Sequence, residues 1–256
     1  MPFTFHLCTQ PGQTLSAAKS GLPLAHMAWQ VGPGASLLAY SVGLSMRGGT
    51  LVLGDKAFDG QDGSADRLYH DLLHELENRA FTHLLCDFER PGQSVLERLI
   101  AQLGPSLRKR GIALIVPDRY AHCAPEAQAL VSTAITQGTL AAHLRESSQR
   151  CGGRGLVLDM PVLRLDMTLP APGGQGKALT QEELDALLRT RGGQSFYSAE
   201  LCARYFTYRT EDSHHFVLFD DASTLNAKAQ TALRLGVTEG YVLYPEAEGY
   251  LAQLNG

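Results

Sequence analysis

Apolar residues in this chain fall into short runs and into longer stretches where they recur every three or four positions, and the two kinds of segment alternate. The short runs lie at 3–8, 23–29, 49–54, 82–88, 112–116, 129–134, 155–162 and 240–244, and each predicts a strand. Between them, 64–79 places Leu68, Leu72, Leu73 and Leu76 on one helical face, and 93–110 does the same with Leu96, Leu99, Ile100, Leu103 and Leu107. Residues 139–150 and 222–235 also read as helices, the second opened by Asp220, Asp221 and Ser223 as N-cap candidates. Eight strands alternating with helices predict an α/β fold, a (β/α)8 TIM barrel at this chain length.

One stretch breaks the alternation. About 75 residues separate the seventh and eighth runs, too many for a plain connection. They hold a glycine-rich loop, "APGGQGKAL", then "TQEELDALL", in which Thr180 and Glu183 have capping-box spacing. "RYFTYR" (204–209) and "HHFVLF" (214–219), joined through "TEDS", predict a hairpin. These features describe a small α+β insertion over 166–219 within a single barrel domain spanning 1–256. A second hairpin is expected over 37–49, near the barrel mouth.

Composition narrows the class of partner. The chain has 256 residues, 44% of them hydrophobic, which suits one large globular unit. Its 22 basic and 26 acidic residues give a formal charge of −4, so no basic field exists to attract nucleic acid. No apolar run is long enough to span a bilayer, and "MPFTFHLCTQPGQ" lacks a charged region followed by an apolar one. The expectation is a soluble protein without membrane partners, not exported by the general route. Cys8, Cys86, Cys123, Cys151 and Cys202 are odd in number, widely spaced and free of C-x-x-C pairs, which predicts reduced thiols and no zinc knuckle.

Candidate chemistry concentrates in "LLCDFERPG", residues 84–92, where an apolar run ends with two carboxylates one residue apart. Residues two apart on a strand share a face, so Asp87 and Glu89 are expected to point to one place. Mutual repulsion then raises at least one pKa and holds a proton ready for acid catalysis. The competing reading is a strand end that caps a helix or pairs with Arg90. Other motifs are weaker. "HDLLH" (70–74) is similar to a zinc-protease motif, but Asp71 stands where that motif has Glu, and the leucines at 72, 73 and 76 turn His70 and His74 outward. "GGQGKA" (173–178) lacks the first glycine and the Ser or Thr of a phosphate loop. His214 and His215, adjacent in a strand-like run, are expected to point oppositely, one packed and one wet. "GLSMRG" does not match a serine-nucleophile elbow.

Set on the fourth of eight strands, "THLLCDFE" resembles the D-x-x-D-x-D-x-E motif of glycoside hydrolase family 18, the chitinase-like barrels, with Asp87 on the last Asp and Glu89 on the Glu. "LVLDMPVLRLDMTLP" (156–170) resembles that family's seventh strand running into its inserted subdomain, and "FVLFDDASTLNAKAQTALRLGVTEGYVLYPE" resembles its closing unit. The pieces, including "RYFTYRTEDSHHFVLFDDA", are most similar to the bacterial spore-cortex glucosaminidase branch.

The resemblance implies a retaining, substrate-assisted glycosidase acting on N-acetylglucosamine-containing oligosaccharides, peptidoglycan fragments in preference to chitin, with no cofactor and no metal. Glu89 would protonate the glycosidic oxygen while the substrate's acetamido oxygen attacks the anomeric carbon, and Asp87 would hold the acetamido N–H. Tyr244, where the family usually has Trp, would form the apolar floor of the sugar site, or would merely pack at the barrel end. Departures from the family pattern are Thr82 and Leu85 at the two upstream aspartates, and "LVSTAITQG" (130–138), which lacks the sixth-strand Tyr and Asp. Asp118 and Tyr120, just beyond the fifth strand, are positioned to substitute for the latter pair, or form a solvated loop. Those departures leave open a degenerate barrel that binds such glycans, or a protein partner, without cleaving them.

Overall fold

The computed structural model describes residues 2–41, 43, 46–61, 63–171, 173–192 and 194–254. All eight predicted runs form strands: β1 (Thr4–Thr9), β2 (Leu24–Val31), β3 (Thr50–Gly54), β4 (His83–Asp87), β5 (Ala113–Pro117), β6 (Gln128–Ser132), β7 (Leu156–Asp159) and, after an insertion that supplies β8 to β12, β13 (Glu239–Leu243). They pair in parallel in sequence order, and β1 pairs with both β13 and β2, so the sheet closes into a TIM barrel.

Alternation along the strands divides the core in two. In β4, Leu84 and Cys86 face outward into the main core, packed with Leu68, Leu72 and Leu76 of α2 (Ala65–Asn78) and Leu96, Leu99 and Leu103 of α3 (Ser94–Arg110). Leu85 faces inward and joins Ala25, Val52, Ile115, Val157 and Tyr241 in an apolar layer that plugs the barrel. Helix ends follow sequence chemistry. Ser64 caps α2, accepting the Arg67 N–H, and α3 stops at Gly111, whose φ of 68° is cheap only for glycine. Thr139 caps α4 (Leu140–Arg150), and Asp221 caps α6 (Ala222–Leu233).

Two connections lack a helix. After β2, Leu37–Ala39 runs back antiparallel on Trp29–Val31; of the hairpin expected over 37–49, Val42, Leu44 and Ser45 lie outside the described residues. After β5, a single 3-10 segment, Asp118–Cys123, replaces the helix.

Between β7 and α6 the chain builds an antiparallel sheet from β8 (Arg164–Leu169), β9 (Lys177–Ala178), β10 (Phe196–Ser198), β11 (Ala203–Arg209) and β12 (His214–Phe219). The capping box forms on α5 (Gln181–Leu187), with reciprocal bonds of 3.2 and 2.9 Å between Thr180 and Glu183. In β12, His214 is exposed, whereas His215 packs on Tyr208 and lies 2.9 Å from Asp166. A buried ion pair ties the insertion to the barrel. Lys228 of α6 reaches Asp220 at 2.5 Å, and Asp220 also accepts the Leu163 N–H and the Thr224 hydroxyl, so the charges are fully partnered. No helix among the described residues is long and apolar enough to cross a membrane.

Candidate active site

The C-terminal ends of the strands surround a cavity of about 570 Å³, at the end where barrels of this kind carry their chemistry. β4 leads into it. Its last residue, Asp87, points inward above Leu85, and the chain then turns outward so that Glu89 stands on the rim of the same cavity. The turn is held from three sides. Both Asp55 oxygens accept backbone N–H groups, from Glu89 at 2.9 Å and Arg90 at 3.1 Å. Arg119 donates to the Glu89 carbonyl at 3.1 Å, and the buried Tyr120 donates its hydroxyl to the Arg90 carbonyl while its ring packs edge-on against Phe88. Arg90 itself donates to the Phe58 carbonyl at 2.6 Å.

The two ionisable layers of the mouth differ. Burial pushes the Asp87 carboxyl above its usual range, with Glu89 and Asp55 adding to the rise and Lys56 and Arg119 opposing it. Asp159, the last residue of β7, is pushed up to about 6, first by burial, against a hydrogen bond from Ser132 and with further repulsion from Asp87 and Glu246. The Cys8 thiol on the cavity floor is raised by burial and by these same two aspartates. At the rim, the Lys56 ammonium lies 3.2 Å from Glu89, both side chains being mostly exposed, and Glu89 raises the Lys56 amine.

The structure brings Asp87, Glu89 and Asp118 to this one cavity. Asp118 also pairs with Arg150 at 3.4 Å. Tyr120 and Tyr244 do not line it. Tyr120 is buried and braces the β4 turn, a positioning role in place of the sugar contact expected of it. Tyr244 fails for a reason of parity: Tyr241 and Leu243 face the barrel interior, so the next residue faces outward, where it is buried in the main core and donates to Glu248 at 2.6 Å. Tyr241 and Leu243 line the cavity instead. Asp159 carries a signal visible in the sequence, since "LVLD" ends β7 as "LLCD" ends β4. Asp55, Lys56 and His143 carry no such signal; His143 lines the cavity with its Nε2 3.0 Å from the Ser132 carbonyl oxygen. His74 lies against Asn78 at 2.7 Å, and among the described residues neither His70 nor His74 belongs to a cluster of metal-ligating groups.

No protein-family model matches the chain, and no curated protein matches it. Solved structures do. The spore cortex-lytic enzyme SleL of Bacillus megaterium superposes with a TM-score of 0.67 at 15% identity, over 98% of this chain and 74% of that one. A chitinase from Chromobacterium violaceum gives 0.67 at 16% identity, covering 98% of each chain. A GH18 chitinase from Cycas revoluta, solved in complex with (GlcNAc)3, gives 0.62 at 12% identity over 98% of this chain and 97% of that one. With its closed barrel, its strand-seven insertion and its cavity at the strand ends, this chain has the fold of the GH18 chitinases and of the spore cortex-lytic enzyme.

Proposed function

We propose that the protein is a retaining glycosidase acting on N-acetylglucosamine-containing glycans, peptidoglycan fragments in preference to chitin. The observation that carries this reading is the shared cavity of Asp87 and Glu89, one inside the barrel and one on its rim, at the C-terminal mouth of a GH18-like fold. Glu89 in its acid form gives a proton to the glycosidic oxygen as the bond to the anomeric carbon breaks. The substrate's acetamido oxygen closes on that carbon, so no nucleophile from the protein is required. Asp87 accepts the acetamido N–H and steadies the positive charge that develops on the ring. Glu89, now a carboxylate, takes a proton from the water that opens the cyclic intermediate, and configuration is retained. Lys56 must release Glu89 before the first proton transfer.

Glu89→Gln tests this directly on N-acetylglucosamine oligomers and cortex fragments. General acid–base catalysis contributes roughly 10²- to 10⁴-fold, and that loss is expected with an unchanged melting temperature. Turnover by the variant equal to that of the parent overturns the assignment. A second reading, glycan binding without cleavage, is favoured by Leu85, whose place in the apolar interior layer leaves Asp87 without a carboxylate neighbour on its own strand. Saturable binding with no turnover across a broad substrate and pH panel selects it.

A further inference from the structure

Outside the cavity, three side chains of different donor chemistry converge behind the β4 turn. Glu97 lies in the first turn of α3, and His122 and Cys123 end the 3-10 segment that follows β5. One ligand atom from each lies within 4.8 Å of the other two, and these residues form the only such group of three or more among those described. We infer that Glu97, His122 and Cys123 form a binding site for a divalent transition metal of borderline softness, zinc being the natural occupant.

The geometry favours coordination over a chance meeting. His122 Nδ1 lies 3.0 Å from the Arg119 carbonyl oxygen, which can only accept, so this nitrogen carries the proton and Nε2 presents its lone pair. That Nε2 lies 3.4 Å from Cys123 Sγ. Zinc bonds to nitrogen of about 2.0 Å and to sulfur of about 2.3 Å, opened to a tetrahedral angle, put those two donors about 3.5 Å apart. Glu97, with a long flexible side chain, needs only a small swing to complete three ligands, and water takes the fourth position. Charge also balances. The thiol gives its proton to solvent on binding, and thiolate plus carboxylate then neutralise the dication while the imidazole stays neutral. Because thiol and imidazole bind metal only when deprotonated, affinity falls as pH is lowered.

The site has a mechanical consequence. It would clamp α3 to the segment whose Arg119 and Tyr120 hold the β4 turn through the carbonyls of Glu89 and Arg90. Metal would thus brace the rim without entering the cavity, whether or not the protein hydrolyses glycans.

The test is a Co²⁺ titration of the full chain, stripped of metal and kept reduced. Binding of one equivalent is expected, with a sulfur-to-cobalt charge-transfer band and the visible absorption of a four-coordinate site, both bleached by Zn²⁺. Cys123→Ser should abolish the charge-transfer band, His122→Ala should weaken binding by at least about tenfold, and Cys151→Ser should change neither. Absence of the band in the parent protein, or its persistence in Cys123→Ser, overturns the assignment. A readout that needs no variant is alkylation of the native protein. Zn²⁺ should slow modification of Cys123 relative to Cys8, and equal rates with and without metal overturn it.

Discussion

At the N-terminal end of the barrel His6, His83 and Glu239 point inward from β1, β4 and β13; at the C-terminal end Asp87 and Asp159 do the same from β4 and β7. The N-terminal group is closed. Glu239 lies 3.5 Å from His6 and 3.8 Å from His83, and His6 stacks on Tyr241, whose hydroxyl meets Thr50 at 3.0 Å. The contact with His6, aided by His83, holds the Glu239 carboxyl below its usual range. At the mouth a hydrogen bond from Ser132 is outweighed by the burial of Asp159, and both aspartates are held above their usual range. One sheet, with the same inward alternation, therefore carries a carboxylate lowered by histidine contacts at one end and carboxylates raised by burial at the other. The lesson is that burial with a partner contributes stability, whereas burial against like charge keeps a proton available.

The difference fixes opposite pH linkages. Glu239, depressed, contributes stability above its unfolded pKa and loses it as pH falls through the folded value. Asp159 and Asp87, raised, are best tolerated in acid, and stability is lost as pH rises through their folded values, about 6 for Asp159.

The largest expected effect breaks the contrast at its exception. Asp55 is a buried carboxylate at the mouth that is nonetheless fully employed, holding two backbone N–H groups of the β4 turn. Asp55→Ala strands both donors and should cost about 3 kcal/mol, since bonds to charged groups are worth roughly 1.5–3 kcal/mol each. Chemical denaturation measures it, and kcat for any glycan cleaved should fall as Glu89 loses its seat. An unchanged midpoint would mean that the turn is held by Arg119 and Tyr120 alone.

Asp159→Asn sharpens the contrast and runs the other way. Removing an ionisation that the fold penalises should stabilise the protein by about 2–3 kcal/mol near pH 8, taking one pKa unit as about 1.4 kcal/mol. The gain should vanish below about pH 4, where the parent residue is protonated in both states. Conversely, Asp87→Asn removes one source of repulsion, so the Asp159 titration, followed by carbon NMR of the side-chain carboxyl, should move down from about 6 in that variant. Equal stability at both pH values would show that Asp159 is solvated rather than strained.

How much of this was legible follows from what each residue depends on. The eight barrel strands were readable because parallel strands covered on both faces are written as apolar runs. β8 was legible too, since "RLDMTL" alternates polar and apolar residues as a half-buried strand does. Asp87 and Glu89 were readable from one strand end, and Asp159 could have been, since it ends β7 as Asp87 ends β4. Tyr244 was misplaced although the parity of Tyr241 and Leu243 was present in the sequence. Asp55 and the trio of His6, His83 and Glu239 were not accessible, because their meetings are made by strand pairing and barrel closure across long sequence separations.

The smallest effect tests the closed end. Glu239→Gln keeps the size of the side chain and removes its charge, so the cost is the loss of a charge-assisted contact with His6 and His83, about 1 kcal/mol near neutral pH. Because the parent gives up that contribution as Glu239 protonates, the two melting curves should converge on acidification. Asp159→Asn converges with the parent in acid too, but from above, as a variant that was more stable. Glu239→Gln approaches from below. Convergence from the same side for both would mean that the two ends of the barrel are electrostatically alike, and the division between a lowered carboxylate and raised ones would fail.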